Sequence, residues 1–446
     1  MTKGVFRHLF ALGIFAGVLA GIWGCSPDTA TAASGIATGK PVVNRSSRDL
    51  PRKWTNYQRN DGNNAVISGN FRYEWSFDPH ARINGSLAVV GRTVFVDTFA
   101  KKLYAIDITD GKPRWTAKGQ GVMMSTPIVA GGLVYVGTGT NHVLKDSGNI
   151  TVWGRPGGDF VDAFDMTTGQ LVWSYKTIGE DMPTPALIGN RLIFGNGDMH
   201  AYALDARTGQ LIWKVPLPGI TTMSATATAP GEAILVASRG IDYFFAKNAS
   251  HVIAISPQSG RILWSSIRGN SDCSPTVTGA IVVCEGTINV LYGNNQGGYM
   301  GRNDIDAYDA QTGKRLWRWL GDVGYFPAVG SNERGIAGMA EGGILYQSVP
   351  TLNEMVAIRI SNGKLLWKFH TAGAVKMSPV SYGGSLIFGD TAGMLYAVSM
   401  RTGTIQGLVS ERLPFTTSAP IVFGKTVLIA DYNRLLAVPV DKLGLI

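Results

Sequence analysis

Several sequence patterns that define cofactor or metal sites are missing from this chain of 446 residues. Its three cysteines form no Cys-x-x-Cys-His motif, which excludes covalent haem attachment, and no adjacent pair. Its six histidines show no ligand spacing such as His-x-x-x-His, so the sequence does not support a dedicated zinc site. The Gly-rich stretch at residues 293–298 lacks the lysine of a phosphate-binding P-loop. We therefore predict no catalytic residue and no metal ligand.

The sequence also lacks a basic block interleaved with aromatic residues, so we do not expect nucleic acid as a partner. Lysine and arginine number 40 against 31 acidic residues, which gives a formal charge of +9. Removing residues 1–24, which contain Lys3 and Arg7, leaves 38 against 31, or +7. This modest excess favours an anionic membrane or an acidic partner through long-range attraction.

The N-terminus has the layout of a bacterial export signal. Lys3 and Arg7 precede an apolar run over residues 9–23, and Cys25 follows. About 15 apolar residues are short for a membrane-spanning helix, which needs ~20. We therefore interpret the run as a signal peptide.

A lipid attachment site is predicted at the end of this signal. The segment Ile22-Trp23-Gly24-Cys25 is similar to a lipobox, although Trp23 is larger than the residue usual there. We predict a lipoprotein signal peptide over residues 1–24, with Cys25 lipidated and holding the mature protein at a membrane. Ordinary cleavage near Ala30-Thr31-Ala32 is the alternative, and it would give a soluble periplasmic protein.

The rest of the chain divides into two predicted parts. Residues 25–51 are small and polar, and they are expected to form a flexible tether. Residues 52–446 are expected to form one globular part, because a repeated sequence unit runs through them.

The repeated unit has the pattern Ala-x-Asp-x-x-Thr-Gly-x-x-x-Trp at residues 163–173 and 203–213, and weaker copies are spaced by 40 to 58 residues. The alternation around the alanine is typical of a half-buried strand. Hairpin patterns such as residues 126–137 lie between the copies, which gives about four strands per unit. The alanines of the eight copies are Ala105, Ala163, Ala203, Ala254, Ala307, Ala357, Ala397 and Ala437.

Four-stranded units repeated in this way can close into a β-propeller, whose sheets pack face to face around a channel. We predict an all-β, eight-bladed and monomeric β-propeller with four-stranded antiparallel blades. The last blade would combine the C-terminal strand at Ala437 with the N-terminal strand at Trp75. Pairing of these N- and C-terminal strands would close the ring and leave no open sheet edge.

A tryptophan follows the glycine by four residues in six copies, while the seventh copy has Gly407 at that position. We expect the tryptophans to be structural, each burying roughly 150–250 Å² between neighbouring blades. In the turns, aspartates such as Asp107 and Asp205 are expected to accept hydrogen bonds from backbone amides, while the glycine adopts a left-handed conformation. The predicted blade tryptophans are Trp75, Trp115, Trp173, Trp213, Trp264, Trp317 and Trp367.

The repeat resembles that of the pyrroloquinoline-quinone (PQQ)-like propellers, the family that holds quinoprotein dehydrogenases and BamB, a lipoprotein of the outer-membrane β-barrel assembly machinery. The resemblance extends from about Trp54 to the C-terminus. It implies the fold, but it does not decide the function, because members with and without a cofactor share it. By analogy with the family, Ser26 after the cysteine favours the periplasmic face of the outer membrane.

The two remaining cysteines are predicted to form a disulfide. Cys273 and Cys284 stand symmetrically about Thr278-Gly279, and a two-residue turn there would place them opposite each other across a hairpin. In an oxidising periplasm such a bond is expected to contribute ~2–3 kcal/mol. The alternative is two buried free thiols, and neither interpretation makes them catalytic.

Departures from the regular repeat are the places where a specific function is expected. They fall at residues 141–158, 241–247, 289–302 and 325–334. Insertions in propellers commonly collect at one rim, and exposed Trp, Tyr and Arg residues anchor binding surfaces. The alternative is that these aromatic residues fold back over the mouth of the channel.

Three functions fit these observations. We prefer a non-enzymatic, BamB-like scaffold without cofactor, whose loops contact the outer-membrane assembly machinery or other periplasmic proteins. The second is a PQQ-dependent dehydrogenase with PQQ and calcium over the channel, and the missing cysteine pair and haem motif argue against it. The third is a periplasmic binding module for a substrate or a redox partner.

Overall fold

The computed structural model describes one of two compact units of the chain. The units are Met1–Lys40 and Pro41–Ile446, and every described residue belongs to the second. The predicted signal peptide and tether, with Cys25, lie outside the described residues. The described residues are 53–54, 57, 63–83, 85–123, 125–139, 143–146, 151–153, 159–179, 184–221, 224–228, 234–238, 250–268, 274–292, 299–326, 337–411 and 413–445.

Nearly all regular structure in the described residues is β-strand, as predicted. The first strands are β1 (Val66–Ile67), β2 (Trp75–Phe77), β3 (Ala88–Val90), β4 (Thr93–Asp97), β5 (Lys102–Asp107), β6 (Pro113–Lys118), β7 (Val122–Met123), β8 (Ile128–Ala130), β9 (Leu133–Gly139), β10 (Val143–Asp146), β11 (Thr151–Trp153), β12 (Asp159–Asp165) and β13 (Leu171–Thr177). Next come β14 (Ala186–Ile188), β15 (Arg191–Gly195), β16 (His200–Asp205), β17 (Leu211–Pro216), β18 (Thr226–Ala227), β19 (Ile234–Ser238), β20 (Ser250–Ile255), β21 (Ile262–Arg268), β22 (Thr276–Thr278), β23 (Ile281–Tyr292), β24 (Tyr299–Asp309) and β25 (Arg315–Phe326). The last are β26 (Met339–Glu341), β27 (Ile344–Val349), β28 (Glu354–Arg359), β29 (Lys364–His370), β30 (Val380–Tyr382), β31 (Ser385–Gly389), β32 (Met394–Ser399), β33 (Ile405–Ser410), β34 (Ile421–Phe423), β35 (Thr426–Ala430) and β36 (Leu435–Pro439).

Two 3₁₀ helices, Pro350–Leu352 and Val440–Leu443, complete the described elements. Neither these nor any other helix in the described part of the chain has the length and hydropathy to cross a bilayer.

Within the described residues, the strands form six four-stranded sheets, two five-stranded sheets and one two-stranded hairpin, β10–β11. We number the larger sheets along the chain. Sheet 1 is β3–β6, sheet 2 is β7–β9 with β12 and β13, sheet 3 is β14–β17, sheet 4 is β18–β21, sheet 5 is β22–β25, sheet 6 is β26–β29, sheet 7 is β30–β33, and sheet 8 is β1, β34, β35, β36 and β2. Four-stranded antiparallel units are therefore confirmed.

The order of strands gives each sheet two distinct ends. In sheet 1, β3 turns into β4 and β5 turns into β6 at one end, which we call the turn end. At the opposite end, β4 connects to β5, and β6 leads to the next sheet. We call this the insertion end, because every long connection between described strands lies there, as shown below.

The first strands of neighbouring sheets lie side by side. Contacts join β3 with β8, β14 with β18, β18 with β22, β22 with β26, and β30 with β34. Short hydroxyl side chains link several of these neighbours, since the amide of Thr126 donates to Thr184 Oγ1 at 2.9 Å and the hydroxyl of Thr276 donates to the Gly338 carbonyl at 2.8 Å. Each first strand therefore forms the edge of its sheet that faces the adjoining sheets.

The repeat motif forms the turn between the third and fourth strands. In sheet 3, Asp205 Oδ1 accepts hydrogen bonds from the amides of Arg207 at 3.0 Å and Thr208 at 2.9 Å. Gly209 then has a φ of 71°, a left-handed conformation that a side chain would strain. In the two strands that this turn joins, Ala203 lies opposite Trp213, and the register of the pairing shifts between Ala203 and Leu204.

The motif tryptophans join each sheet to the next. Trp173 of sheet 2 lies against Gly209 of sheet 3, where an added Cβ would approach the indole to 2.6 Å. Its Nε1 donates to the carbonyl oxygen of Ala206 at 3.1 Å. The equivalent pairs are Trp75 with Ile108, Trp115 with Met166, Trp213 with Pro257, Trp264 with Ala310, Trp317 with Ile360, and Trp367 with Met400.

The seventh sheet has no tryptophan, and the C-terminal 3₁₀ helix takes its place. A Cβ added to Gly407 would overlap the carbonyl oxygen of Leu443. The glycine is thus required here, because the backbone of Val440–Leu443 lies directly on β33. Leu443 itself is fully buried.

The two ends of the described chain meet in sheet 8. β2 pairs with β36 in antiparallel fashion, and Trp75 lies opposite Ala437. Arg72 and Asp441 form an ion pair nearby at 2.9 Å, and Lys442 pairs with Glu74. The N-terminal tryptophan strand and the C-terminal alanine strand thus share one sheet.

The predicted symmetry of the cysteine hairpin is wrong. Thr278 pairs with Ile281, so the two-residue turn is Gly279-Ala280 and Cys284 falls in register with position 275, not 273. The turn shifts because Gly279, with a φ of 56°, occupies its first central position, where this backbone conformation suits the twist of a hairpin. Cys284 is buried, and Cys273 lies outside the described residues, so the disulfide stays a prediction.

Candidate functional site

All four predicted insertions connect strands at the insertion end of their sheets. They lie between β9 and β12, β19 and β20, β23 and β24, and β25 and β26. Three of them join the second and third strands of one sheet, and the fourth leads from sheet 5 to sheet 6. The described strand ends that flank the insertions therefore share one side of the fold, and residues 140–142, 147–150, 154–158, 239–249, 293–298 and 327–336 lie outside the described residues.

Sheet 5 extends beyond the others at this end. Its strands β23, β24 and β25 contain 12, 11 and 12 residues, whereas the third and fourth strands of sheet 3 contain 6 each. At ~3.3 Å per residue, the extra five or six residues add roughly 20 Å. The predicted insertion at residues 289–302 is thus largely a continuation of the sheet.

The 3₁₀ helix Pro350–Leu352 of sheet 6 supports this extension. A Cβ added to Gly324 would lie 2.7 Å from Leu352 Cδ2, so the extension and the helix are in direct contact. The hydroxyl of Thr351 donates to Asn303 Oδ1, and Asn303 Nδ2 donates to Glu285 Oε1. These bonds connect sheet 6 through the extension to a buried carboxylate of sheet 5.

A buried ion network lies at the base of the extension. Arg268, the last residue of β21, has a fully buried side chain and pairs with Asp304 at 2.9 Å. Arg318 donates from Nε and Nη2 to the two oxygens of Asp306, each at 2.6 Å, and Tyr308 donates to Asp306 at 3.0 Å. The network joins sheets 4 and 5 at their insertion ends.

The two carboxylates of this network differ in proton affinity. Burial raises the pKa of Asp304, in spite of the opposing charge of Arg268. Burial also acts on Asp306, but hydrogen bonds from Arg318 and the charge of Arg268 outweigh it and lower the pKa. Two arginines thus keep Asp306 ionised in a place that water does not reach.

Asp97 is a buried acidic residue at the insertion end that is not part of this network. It is the last residue of β4, it is 0% exposed, and neither carboxylate oxygen has a hydrogen-bond partner among the described residues. A Cβ added to Gly85 would lie 2.6 Å from Asp97 Oδ1, so the carboxyl lies against the chain that leads into β3. Burial raises the pKa of Asp97 well above its usual value.

The position of Asp97 can be compared in all eight sheets. In each sheet the equivalent residue lies on the second strand. It pairs with the third-strand residue that is two positions before the motif alanine. Two of these positions are glycines whose side-chain space is filled by a residue from the connection to the next sheet. A Cβ added to Gly195 would collide with Thr221, and a Cβ added to Gly389 would collide with Phe415. The seven equivalents are Gly137, Gly195, Ala237, Glu285, Ser348, Gly389 and Ala430.

Five of the eight positions therefore hold glycine or alanine, and two hold a buried acid. Asp97 belongs to sheet 1 and Glu285 to sheet 5, four sheets further along the chain. Sequence analysis did not identify either residue. Aligning Val96-Asp97 with Phe194-Gly195 and Phe388-Gly389 would have revealed the exception.

The described residues contain no cluster of acidic, histidine or cysteine side chains. No three His, Cys, Asp or Glu side chains in the described ranges lie close enough together to hold a metal ion. The alternative with PQQ and calcium would also draw on amide oxygens, and it stays a hypothesis. We derive no chemistry through either group.

A family of known proteins shares this architecture. The family model described as outer membrane protein assembly factor BamB matches residues 72–292 and 301–442. The chain belongs to this family of PQQ-like propellers. The predicted resemblance is therefore confirmed, including the layout shared with BamB.

Proteins that are similar to this chain carry names of different activities. The chain is 28% identical to the tetrathionate hydrolase of Acidithiobacillus ferrooxidans over 379 residues, which are 80% of this chain and 72% of that protein. It is 23% identical to BamB of Yersinia pestis over 74% of each chain. The solved quinohaemoprotein alcohol dehydrogenase of Comamonas testosteroni has a TM-score of 0.64 and 14% identity, covering 87% of this chain and 81% of that one. At that identity the likeness concerns the fold alone.

Proposed function

We propose that this PQQ-like propeller is an exported hydrolase of a small sulfur-containing dianion of the tetrathionate type. The observation that carries the proposal is the similarity to a tetrathionate hydrolase across 80% of the chain at 28% identity. Similarity to BamB is lower, at 23% over 74% of the chain. This ranking replaces our preference for a BamB-like scaffold, which becomes the second candidate.

The insertion ends are the place we propose for the reaction. Hydrolysis adds water to an anionic substrate and moves protons, so the site needs groups that bind an anion and groups that exchange protons. Arg318 keeps 26% of its side chain exposed beside the acids with which it pairs, and the chain without its predicted signal peptide has 38 basic against 31 acidic residues, a net charge of +7. Both features support binding of a dianion.

The test is direct turnover. Purified full-length protein carrying Cys25→Ser, which removes lipid attachment, is incubated with tetrathionate between pH 2 and pH 7, and tetrathionate loss and acid release are followed. We expect consumption by the folded protein and none by the same sample after heat unfolding. If folded protein leaves tetrathionate intact across this range, the hydrolase proposal is wrong.

We also propose that the eight sheets close into a ring, with the chain ends joined in sheet 8. The pairing of Trp75 with Ala437 supports this closure. The seven tryptophan junctions also support it, because they link sheet 8 to sheet 1 and then each sheet to the next as far as sheet 7. The contact of Leu443 with Gly407 links sheet 7 to the C-terminal helix that follows sheet 8. An experimental density map with seven sheets, or with a gap beside sheet 8, would contradict it.

The second candidate function is a lipid-anchored scaffold at the periplasmic face of the outer membrane. The lipobox-like segment ending at Cys25 and the BamB family match support it. Membrane fractionation of wild type and Cys25→Ser tests the anchor, which predicts release of the variant. Affinity purification from solubilised membranes tests the scaffold, which requires a barrel-assembly subunit to co-purify in stoichiometric amounts.

A further inference from the structure

A compact group of four polar side chains lies at the insertion end of sheet 3. Asp198 belongs to the connection between β15 and β16, and His200 is the first residue of β16. Tyr202 follows on the same strand, and Lys214 of β17 lies opposite it. The arrangement is internal to one sheet, so it does not depend on how the sheets are joined.

The connection that carries Asp198 is held in place by hydrogen bonds. Asn196 Oδ1 accepts a hydrogen bond from the Asp198 amide at 2.8 Å, and the Asn196 amide donates to the His200 carbonyl at 3.0 Å. Met199 has a φ of 65°, and its carbonyl accepts from the amide of Leu217 at 2.8 Å. A fixed turn therefore presents the carboxylate and the imidazole.

Asp198 is the centre of the group. Its side chain is 5% exposed, and its Oδ2 accepts hydrogen bonds from the Tyr202 hydroxyl at 2.5 Å and from the Lys214 ammonium at 3.0 Å. Its Oδ1 has no hydrogen-bond partner among the described residues and lies 3.4 Å from His200 Nδ1. One buried carboxylate oxygen therefore faces the imidazole.

The backbone decides which nitrogen of the neutral His200 ring carries the hydrogen. Nδ1 lies 2.9 Å from the carbonyl oxygen of Asp198, and because a carbonyl oxygen can only accept, Nδ1 is the donor. The lone pair is then on Nε2, which has no hydrogen-bond partner in the described part of the chain, and the side chain is 33% exposed. The nearby carboxylate of Asp198 stabilises the ring once Nε2 takes up a proton.

Lys214 places a positive charge next to this ring. Its side chain is 31% exposed, and its Nζ lies 4.8 Å from the centroid of the Tyr202 ring. An ammonium group has three donors, and the hydrogen bond to Asp198 uses one of them. Lys214 can therefore bind an oxyanion while it keeps its ion pair.

Sheet 4 has a histidine at the equivalent position but lacks the acid. His251 lies three residues before the motif alanine, as His200 does, and its Nδ1 is 2.9 Å from Ser265 Oγ. A hydroxyl can donate or accept, so it does not fix the hydrogen on one nitrogen, and it carries no charge. The carboxylate and the lysine thus distinguish the histidine of sheet 3 from its counterpart in the next sheet.

We propose that Asp198, His200 and Lys214 form a site that binds a small sulfur oxyanion at Lys214 and accepts a proton from water at His200 Nε2. This inference rests on the proposed hydrolase and names its general base. In the hydrolytic step the water oxygen bonds to one sulfur of the bound chain, and the adjacent sulfur–sulfur bond breaks. The departing anion takes the electron pair, one water hydrogen passes as a proton to Nε2, and the other stays on the new S–OH group.

Protection from diethyl pyrocarbonate, which acylates neutral imidazole, tests the site without turnover. Full-length protein with Cys25→Ser is modified in the presence and absence of dithionate, a dianion of two sulfonate groups that has no divalent sulfur. Mass spectrometry quantifies each histidine peptide. We expect saturating dithionate to slow the modification of His200 by at least about 5-fold and to leave that of His251 unchanged. Lys214→Met should abolish the protection, and Lys214→Arg, which keeps the charge, should retain it.

Steady-state kinetics with tetrathionate test the proton transfer. His200→Gln keeps a polar side chain that cannot accept the proton, so kcat should fall by at least about 100-fold while KM changes little. The matched variant His251→Gln should keep the wild-type kcat. Urea unfolding of both variants shows whether a loss of activity reflects a loss of structure.

The results distinguish a failure of this site from a failure of the hydrolase. If wild type consumes tetrathionate and His200→Gln does so equally fast, His200 is not the base, and the hydrolase proposal is unaffected. If wild type consumes none, the hydrolase proposal is wrong, and the dithionate result decides whether the anion site exists. Equal modification of His200 with and without dithionate, or equal protection of His251, would overturn the anion site.

Discussion

Replacing Asp97 by asparagine is expected to stabilise the protein at neutral pH and to remove part of its pH dependence. The carboxyl is fully buried and has no hydrogen-bond partner among the described residues. Burial raises its pKa well above the usual value, because the charged form would lose its water at this position. The carboxamide has almost the same shape and carries no charge at any pH.

The sign of the effect follows from proton binding. A raised pKa means that the folded protein holds a proton that the unfolded chain, with a pKa near 3.9, releases. Asp97 therefore costs no stability at pH values below about 4, and its cost grows as the pH rises towards the folded pKa. Each unit by which the folded pKa exceeds the unfolded one corresponds to about 1.4 kcal/mol.

Urea unfolding at pH 4 and pH 7.5 measures this difference. We expect wild type and Asp97→Asn to unfold alike at pH 4, and the variant to be more stable at pH 7.5 by more than the ~0.5 kcal/mol of an ordinary surface substitution. The control Asp322→Asn changes a carboxyl whose side chain is 82% exposed, and it should leave both values unchanged. Equal pH dependence in wild type and Asp97→Asn would refute the reasoning.

Three further substitutions test the junctions between sheets by urea unfolding. Trp173→Phe keeps most of the buried ring but removes the indole donor, and it should cost about 1–3 kcal/mol. Gly209→Ala combines a φ of 71° with a Cβ 2.6 Å from the Trp173 indole, so it should cost about 2–4 kcal/mol, whereas Gly189→Ala, which meets no atom within 4 Å, should cost about 1 kcal/mol. Arg268→Met leaves Asp304 buried without its main partner and should cost about 3–5 kcal/mol, least at acid pH where that carboxyl is neutral. Equal effects of the two glycine substitutions, or a pH-independent effect at Arg268, would contradict these reasons.

The repeat predicted the sheets well because its signals are local. Alternation around Ala203, the aspartate turn at Asp205 and the fixed distance to Trp213 are all short-range patterns, and each occurs in the structure as a strand, a turn and a paired strand. The pairing of Trp75 with Ala437 also followed from counting motifs at the two ends of the chain.

Register within the cysteine hairpin could not be predicted in the same way. The symmetric positions of Cys273 and Cys284 suggested a turn at Thr278-Gly279, but the backbone conformation of Gly279 decides the turn and shifts it by one residue. Moving the turn by one residue changes the partner of each residue by two positions, so Cys284 lies opposite position 275 in place of 273, and symmetry of two residues is weak evidence for pairing.

The contacts of Asn63 and Asn64 were beyond sequence analysis for a different reason. These contacts join residues more than 200 positions apart, such as Asn63 with Thr276 and Asn64 with Ser381. No local pattern encodes such contacts, and residues 54–67 contain no copy of the repeat. Only the folded arrangement of the first strands shows that these polar side chains have specific partners.

Asp97 shows how repetition helps to find a candidate functional residue once the register is known. At a position where five of eight sheets hold glycine or alanine, a buried acid is not required by the repeat, and it lowers stability whenever it is ionised. Residues that the fold does not need and that lower stability are commonly found at functional sites, which makes Asp97 a candidate for a role in activity. If the protein hydrolyses tetrathionate, Asp97→Asn should therefore reduce turnover while it raises stability at neutral pH, a combination that a purely structural residue would not give.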